Sequence, residues 1–267
     1  MAAFQSHLVL LAFRPIVEFP ESVGHLTEIV SAPSLPDAVT FRGGPATVAG
    51  NSGNSPQCWQ RVVMKLGLLA DIHERVAPLE TALRRFREQG VDQVVILGDL
   101  VEMTDSLEET CRLLDDAGAI GVWGNHDFGL CQPSLDRGMK ELSETGKRVF
   151  GTLKPRLEIE GCFFSHVEPW LDPETLEGLW YFDGPPDEHF QFDRIFQAIP
   201  HRLMFAGHYH KWLIVRPDGI EPWKATSSIR LTTGRYFVVV GPLCEGHSAI
   251  FDTETSELTP FCDPIAG

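Results

Sequence analysis

The sequence predicts an α/β fold with buried parallel strands, and three observations predict it. Short apolar, β-branched segments alternate with amphipathic stretches, the strand–helix–strand unit repeats, and the second half is rich in further strands. "KLGLLA" (65–70) reads as the first strand. Pro78 opens a helix that sets Leu79, Ala82, Leu83 and Phe86 on one face, and Gly90 closes it. "QVVILG" (93–98) is the second buried strand and completes one βαβ unit. Ser106 and Glu109 have capping-box spacing. Their helix carries Leu107, Cys111 and Leu114, stops at Gly118 and leads into the strand "AIGVW". "RLEIE", Gly161 and "CFFSH" predict a hairpin. "RLMFAG", "KWLIVR" with the turn "PDG", "RYFVVVG" and "SAIFD" predict more strands, with a solvated turn at 252–257.

The chain carries a formal net charge of −15, which repels long nucleic acid and anionic membrane. A bound pair of divalent cations would reverse that field at one place. Six cysteines, at 58, 111, 131, 162, 244 and 262, form no C-x-x-C pair. They read as reduced thiols, and the expected location is cytoplasmic. No apolar run approaches the ~18 residues of a spanning helix. "HLVLLAF" lacks the basic flank and cleavage site of a secretory signal. Residues 1–63 include a stretch, 31–57, crowded with Pro, Gly, Ser and Ala. They are expected to be a poorly ordered extension, with Met64 as the native start and 64–267 as the folded domain.

Each predicted core strand ends in a polar cluster. The first ends in Asp71 and His73, the second in Gly98 and Asp99, and the third in Gly124, Asn125, His126 and Asp127. Two later strands end in His166 and in His208 and His210. In open α/β sheets the carboxyl ends of strands share one rim, so these groups converge. Carboxylate, imidazole and amide oxygen suit Mn, Fe, Zn, Ni or similar ions. The glycines at 98, 124 and 207 are expected to let the backbone turn sharply before each ligand. A lone D-x-H is more often a surface loop, and a lone His166 a partly buried histidine. "GNHD" is rarer, with a chance occurrence on the order of one in a thousand for average composition.

With "ADIHE", "GDLVE", "GNHD", "FFSH" and "GHYH" in this order, the chain resembles the calcineurin-like metallophosphoesterases over residues 64 to about 260. The resemblance implies a four-layer α/β/β/α sandwich of two mixed β-sheets flanked by helices. It implies two divalent metal ions of unspecified identity. One would be held by Asp71, His73 and His210, the other by Asn125, His166 and His208, with Asp99 bridging. It further implies attack on phosphorus by a hydroxide bridging two metals ~3.5–4 Å apart. His126 would then protonate the leaving group, and Asp127 would orient His126 and raise its pKa.

The implied substrate is a small phosphate ester, with a phosphodiester favoured over a phosphoprotein. Protein serine/threonine phosphatases of the superfamily carry an arginine after the second-block aspartate and end the third block in Glu; "GDLVEMTD" and "GNHD" have neither. The tyrosine ligand of purple acid phosphatases is absent, and lipid-A pyrophosphatases have Arg where His126 stands. Glu102 reads as a solvated or outer carboxylate, and His189, His201 and His247 as surface or supporting residues. Trp170, Trp180, Tyr181 and Phe182, in the insert 167–189, either wall a pocket for an aromatic group or cap the core, with capping the commoner outcome. Trp123 reads as core. The alternative function is an inactive scaffold that binds protein partners. Such relatives lose ligands, whereas all seven ligand positions and His126 are filled here. The oligomeric state is left open.

Overall fold

The computed structural model describes residues 63–102, 104–132, 142–181 and 183–264. The predicted N-terminal extension, Cys58 and Phe182 lie outside the described residues. All described residues belong to one compact unit, Gln57–Gly267.

The first half folds as predicted. Strand β1 (Lys65–Leu69), helix α1 (Val76–Glu88), β2 (Gln93–Leu97), helix α2 (Leu107–Asp116) and β3 (Ile120–Val122) form two consecutive βαβ units. The three strands pair in parallel. Leu79, Ala82, Leu83 and Phe86 are the buried stripe of α1, and Gly90 follows its end with a positive φ of 67°. The capping box does not form. Ser106 precedes α2 but makes no side-chain cap bond. Glu109 instead grips Arg112 in two hydrogen bonds of 2.6 and 2.9 Å, an exposed pair that draws it away from the helix start.

Two short helices, α3 (Phe128–Cys131) and α4 (Glu144–Thr152), lead to β4 (Leu153–Lys154). The predicted hairpin is β5 (Leu157–Ile159) and β6 (Cys162–Phe164), paired antiparallel. Three more helices follow: α5 (Leu176–Leu179), α6 (Pro186–His189) and α7 (Phe192–Ala198). Next are β7 (Leu203–Ala206), β8 (Leu213–Arg216), β9 (Gly219–Ile220), β10 (Ile229–Arg230) and β11 (Tyr236–Val239). The closing strands are β12 (His247–Asp252) and β13 (Glu257–Cys262). The acidic turn between them is held by Asp252, whose Oδ1 accepts from the backbone of Glu254 and Thr255.

These strands make two mixed sheets. One has seven strands in the order β10-β13-β12-β1-β2-β3-β4, the other six in the order β5-β6-β7-β11-β8-β9. Alternation along each strand decides what faces what. Leu66, Leu68, Val95, Leu97, Phe164, Phe205, Val238 and Phe251 fill the layer shared by the two sheets. Leu69 and Ile96 point outward, against Phe86, Cys111, Leu114, Val149 and Phe150 of α1, α2 and α4. Met204, Phe237 and Val239 meet Ile195 and Phe196 of α7 on the far side. The four-layer sandwich is therefore present. Among the described residues the cysteines are free thiols, and no helix is long and apolar enough to cross a membrane.

Candidate metal centre

The parallel register of β1, β2 and β3 ends these strands at one rim, and β6 and β7 of the second sheet end beside them. All seven predicted ligands and His126 meet there. Five of the predicted ligand residues adopt left-handed backbone: Asp71 (φ 51°), His73 (47°), Asp99 (57°), His208 (74°) and His210 (48°). Non-glycine residues seldom adopt this conformation, and each instance costs of order 1 kcal/mol or more. The strain is held by cross-strand bonds: Asp71 N–H to the Gly98 carbonyl at 3.1 Å, and His73 N–H to the Asp99 carbonyl at 3.0 Å. The predicted sharp turn is confirmed at Gly98 (φ 94°). Gly124 and Gly207 have no positive φ. Gly124 is needed for space instead: a Cβ there would stand 2.1 Å from Asp99 Oδ1.

The donor atoms face one another. Asp71, His73 and Asp99 offer ligand atoms within 4.8 Å of each other. His73 Nε2 lies 3.2 Å from His210 Nε2, and His210 Nε2 is 3.8 Å from Asp71 Oδ1. Asn125 Oδ1 sits 3.0 Å from His166 Nε2 and 3.1 Å from His208 Nδ1. Asp99 Oδ2 stands between the two sets, 3.4 Å from His166 Nε2 and 4.0 Å from His73 Nε2.

This arrangement fits divalent cations. His166 Nδ1 lies 2.7 Å from the Leu97 carbonyl, which can only accept, so Nδ1 carries a proton. A neutral His166 then presents its Nε2 lone pair to Asn125 and Asp99, which are also acceptors. Lone pairs aimed together in a buried place repel unless a cation lies among them. Burial opposes charge on His166, but Asp99 and Asp71 prevail and hold its pKa up at about 9. Burial pushes the Asp71 carboxyl up to about 7, and Asp99 adds to the push while His166 opposes it. Asp99 is depressed: burial would raise it, but the charge of His166 and its hydrogen bond overcome that. Burial, then the charge of His166, takes His208 down to about 3.

Asp127 departs from its expected role. It is fully buried, and its two oxygens accept from four backbone N–H groups, those of Asp99, Leu100, Val101 and Gly124, at 2.7–3.2 Å. It ties the loop after β2 to the loop after β3 and does not contact the His126 ring. The carboxylate beside His126 is Glu102, with Oε2 4.0 Å from His126 Nδ1 and 2.6 Å from His73 Nδ1. The approach to His73 is close but not aligned as a hydrogen bond. His126 itself is pinned by its backbone N–H on Asp99 Oδ1, at 3.0 Å, and its ring packs edge-on to His73.

Three contributors, Glu74, Cys244 and Glu168, were not singled out by sequence. Glu74 is buried, and its carboxylate accepts from the backbone N–H groups of Glu102 and Thr104 and from the Thr104 hydroxyl. It fixes the loop that presents Glu102. Its place in "DIHE", directly after a ligand, was the available signal. Cys244 brings its thiol into the group formed by His73 and His210. His189, read as surface or supporting, is buried against buried Glu168 at 3.1 Å. Glu168 also accepts from Tyr209, between the ligands His208 and His210, so this polar cluster braces the "GHYH" loop.

The chain belongs to the calcineurin-like phosphoesterase superfamily, whose domain matches residues 64–255. MJ0912 of Methanocaldococcus jannaschii, described as an uncharacterized protein, is 32% identical over 161 residues. That match covers 54% of this chain and 62% of that protein, so the chain spans less than two thirds of that relative's length. The crystal structure of a metallophosphoesterase from Sphaerobacter thermophilus is similar with a TM-score of 0.60. It is 21% identical and covers 76% of this chain and 88% of that one, a likeness of fold.

Proposed function

We propose that this protein is a dinuclear-metal phosphoesterase that hydrolyses a phosphodiester or a small phosphomonoester. The observation that carries the reading is the set of opposed acceptor atoms around Asp99, supported on strained backbone. Asp71, His73 and His210 would hold one cation, Asn125, His166 and His208 the other, and Asp99 both. Cations held there would lower the pKa of water and neutralise charge on the phosphoryl oxygens. His126 gives a proton to the leaving alkoxide. It is part-exposed, with its backbone fixed and its ring seated on His73, so it reaches a bound ester without reorganising. Glu102 and Arg75 line the cavity together with His73, His126 and His210; the diester reading rests on the blocks "GDLVEMTD" and "GNHD", which lack the features of the protein phosphatases.

The test is a screen of the Mn-, Fe-, Zn- or Ni-reconstituted protein against bis-p-nitrophenyl phosphate, p-nitrophenyl phosphate, and cyclic and dinucleoside polyphosphates. Preferred turnover of the diester is expected, and no turnover with any metal would sink the reading. In the same assay His126→Ala is expected to lose about 10²–10⁴-fold on alkyl leaving groups, far less on p-nitrophenyl esters, with metal content unchanged. Equal losses on both classes would argue against the donor role.

A further inference from the structure

The insert 167–189 is anchored at several points. Leu179 is fully buried, Trp123 Nε1 donates to the Pro173 carbonyl at 2.8 Å, and Arg194 covers the Trp170 ring at 3.6 Å. Core capping thus accounts for Leu179 and Trp170. It does not account for Trp180, which is 56% exposed at the end of α5. Its ring centroid lies 5.8 Å from that of His126, with the planes 36° apart. Tyr181, 39% exposed, packs edge-on against Trp170 instead, ring centroids 5.2 Å apart. The Trp180 indole thus stands in solvent beside His126, the proton donor proposed above, where a planar group can stack on it.

We infer that Trp180 is a stacking platform for the leaving group, and that the substrates are phosphate esters whose leaving alcohol carries a planar aromatic ring, a nucleoside or an aryl group. The inference rests on the donor role of His126 proposed above. In-line displacement sends the leaving oxygen away from the attacking oxygen. A donor must come within ~2.6–3.2 Å of that oxygen. With the leaving oxygen at His126, the next atoms of the leaving group lie over Trp180. The ester oxygen leaves as the alcohol, taking the His126 proton, and the phosphoryl group gains the oxygen of water; no other reactant is needed.

The experiment uses the manganese-loaded full chain and two diesters with similarly acidic leaving groups, methyl phenyl phosphate and methyl hexafluoroisopropyl phosphate. Trp180→Ala is expected to raise KM for the phenyl ester about 3–10-fold and leave KM for the fluoroalkyl ester unchanged, while Trp180→Phe retains most of the preference. A second arm measures binding of phenylphosphonate and methylphosphonate by calorimetry. The wild type is expected to favour the phenyl compound, and Trp180→Ala to abolish that preference. Equal effects on the two esters, or a phenyl preference that survives Trp180→Ala, would overturn the inference. So would a change in sedimentation on Trp180→Ala, which would make the exposed face a contact between copies. Phenyl preference without hydrolysis of any ester would leave the platform standing and sink the catalytic reading; hydrolysis without phenyl preference would do the reverse.

Discussion

Glu102 shows how one side chain can serve two neighbours. Its carboxylate lies 2.6 Å from His73 Nδ1, out of line for a hydrogen bond, while His73 Nε2 faces Asp99, so it acts on this proposed metal-binding imidazole through its charge. It also lies 4.0 Å from His126. Glu102→Gln keeps the shape and removes the charge. Metal affinity, read by competition with a chromophoric chelator, is expected to fall about 10–100-fold. Unchanged affinity would reduce Glu102 to a solvated group. Sequence could not make this assignment, because the contact depends on a loop that Glu74, buried and 28 positions earlier in the chain, pins in place. The convergence of Asp71, His73, Asp99, Asn125, His166, His208 and His210 on one rim was legible, since each follows a strand in a short block whose spacing survives folding. Their left-handed backbone was not, because no residue among Asp71, His73, Asp99, His208 and His210 is of the type that adopts it without cost.

The loops after β2 and β3 form one unit because Asp127 stitches them. Its four backbone donors would otherwise be buried and unmet, each a sizeable penalty. Asp127→Ala is therefore expected to destabilise the protein by about 3 kcal/mol or more, with metal lost as well. Urea unfolding checks the first and elemental analysis the second; a variant as stable as wild type would remove the stitching role. A residue assigned to chemistry by its place in "GNHD" thus works through architecture. Burial hid this from sequence reading, as it hid the His189–Glu168 pair, because a charged letter reads as surface until its partner is known. The βαβ units were readable because period and punctuation agreed: an apolar face every three to four residues in α1, then Gly90 with positive φ. The capping box failed because Glu109 had a stronger local partner in Arg112.

For the molecule as a whole, the acid cluster sets how stability answers to pH once cations are removed. Asp71 is raised to about 7 and Asp127 to about 6, both above the 3.8 of an unfolded aspartate. In the folded state these two groups keep their protons above the unfolded value, so their contribution to stability falls as pH rises from about 4 to about 7. His208, taken down to about 3, and His210, also lowered by burial, act the other way below about 6.5. Above that value His166, held at about 9, decides the sign: its contribution is full below about 6.5 and is lost as pH rises towards 9. Chelated protein is expected to melt at progressively lower temperature from about pH 6.5 to 9, and added metal to restore the midpoint there. A chelated melting temperature that climbs with pH in that range would contradict the assigned shifts. The four-layer arrangement itself was accessible only through the family blocks; hydropathy marked strands but not which sheet each would join. That partition has a consequence. Asp71, His73, Asp99 and Asn125 are carried by the seven-stranded sheet, and His166, His208 and His210 by the six-stranded one. Sliding one layer past the other by a single residue step, ~3.3 Å, would pull the two groups of donors out of range. Cations held as proposed would act as a vernier on interlayer alignment, and trimming a side chain such as Phe205 in the shared layer should then show first as leakage of metal, well before the fold gives way.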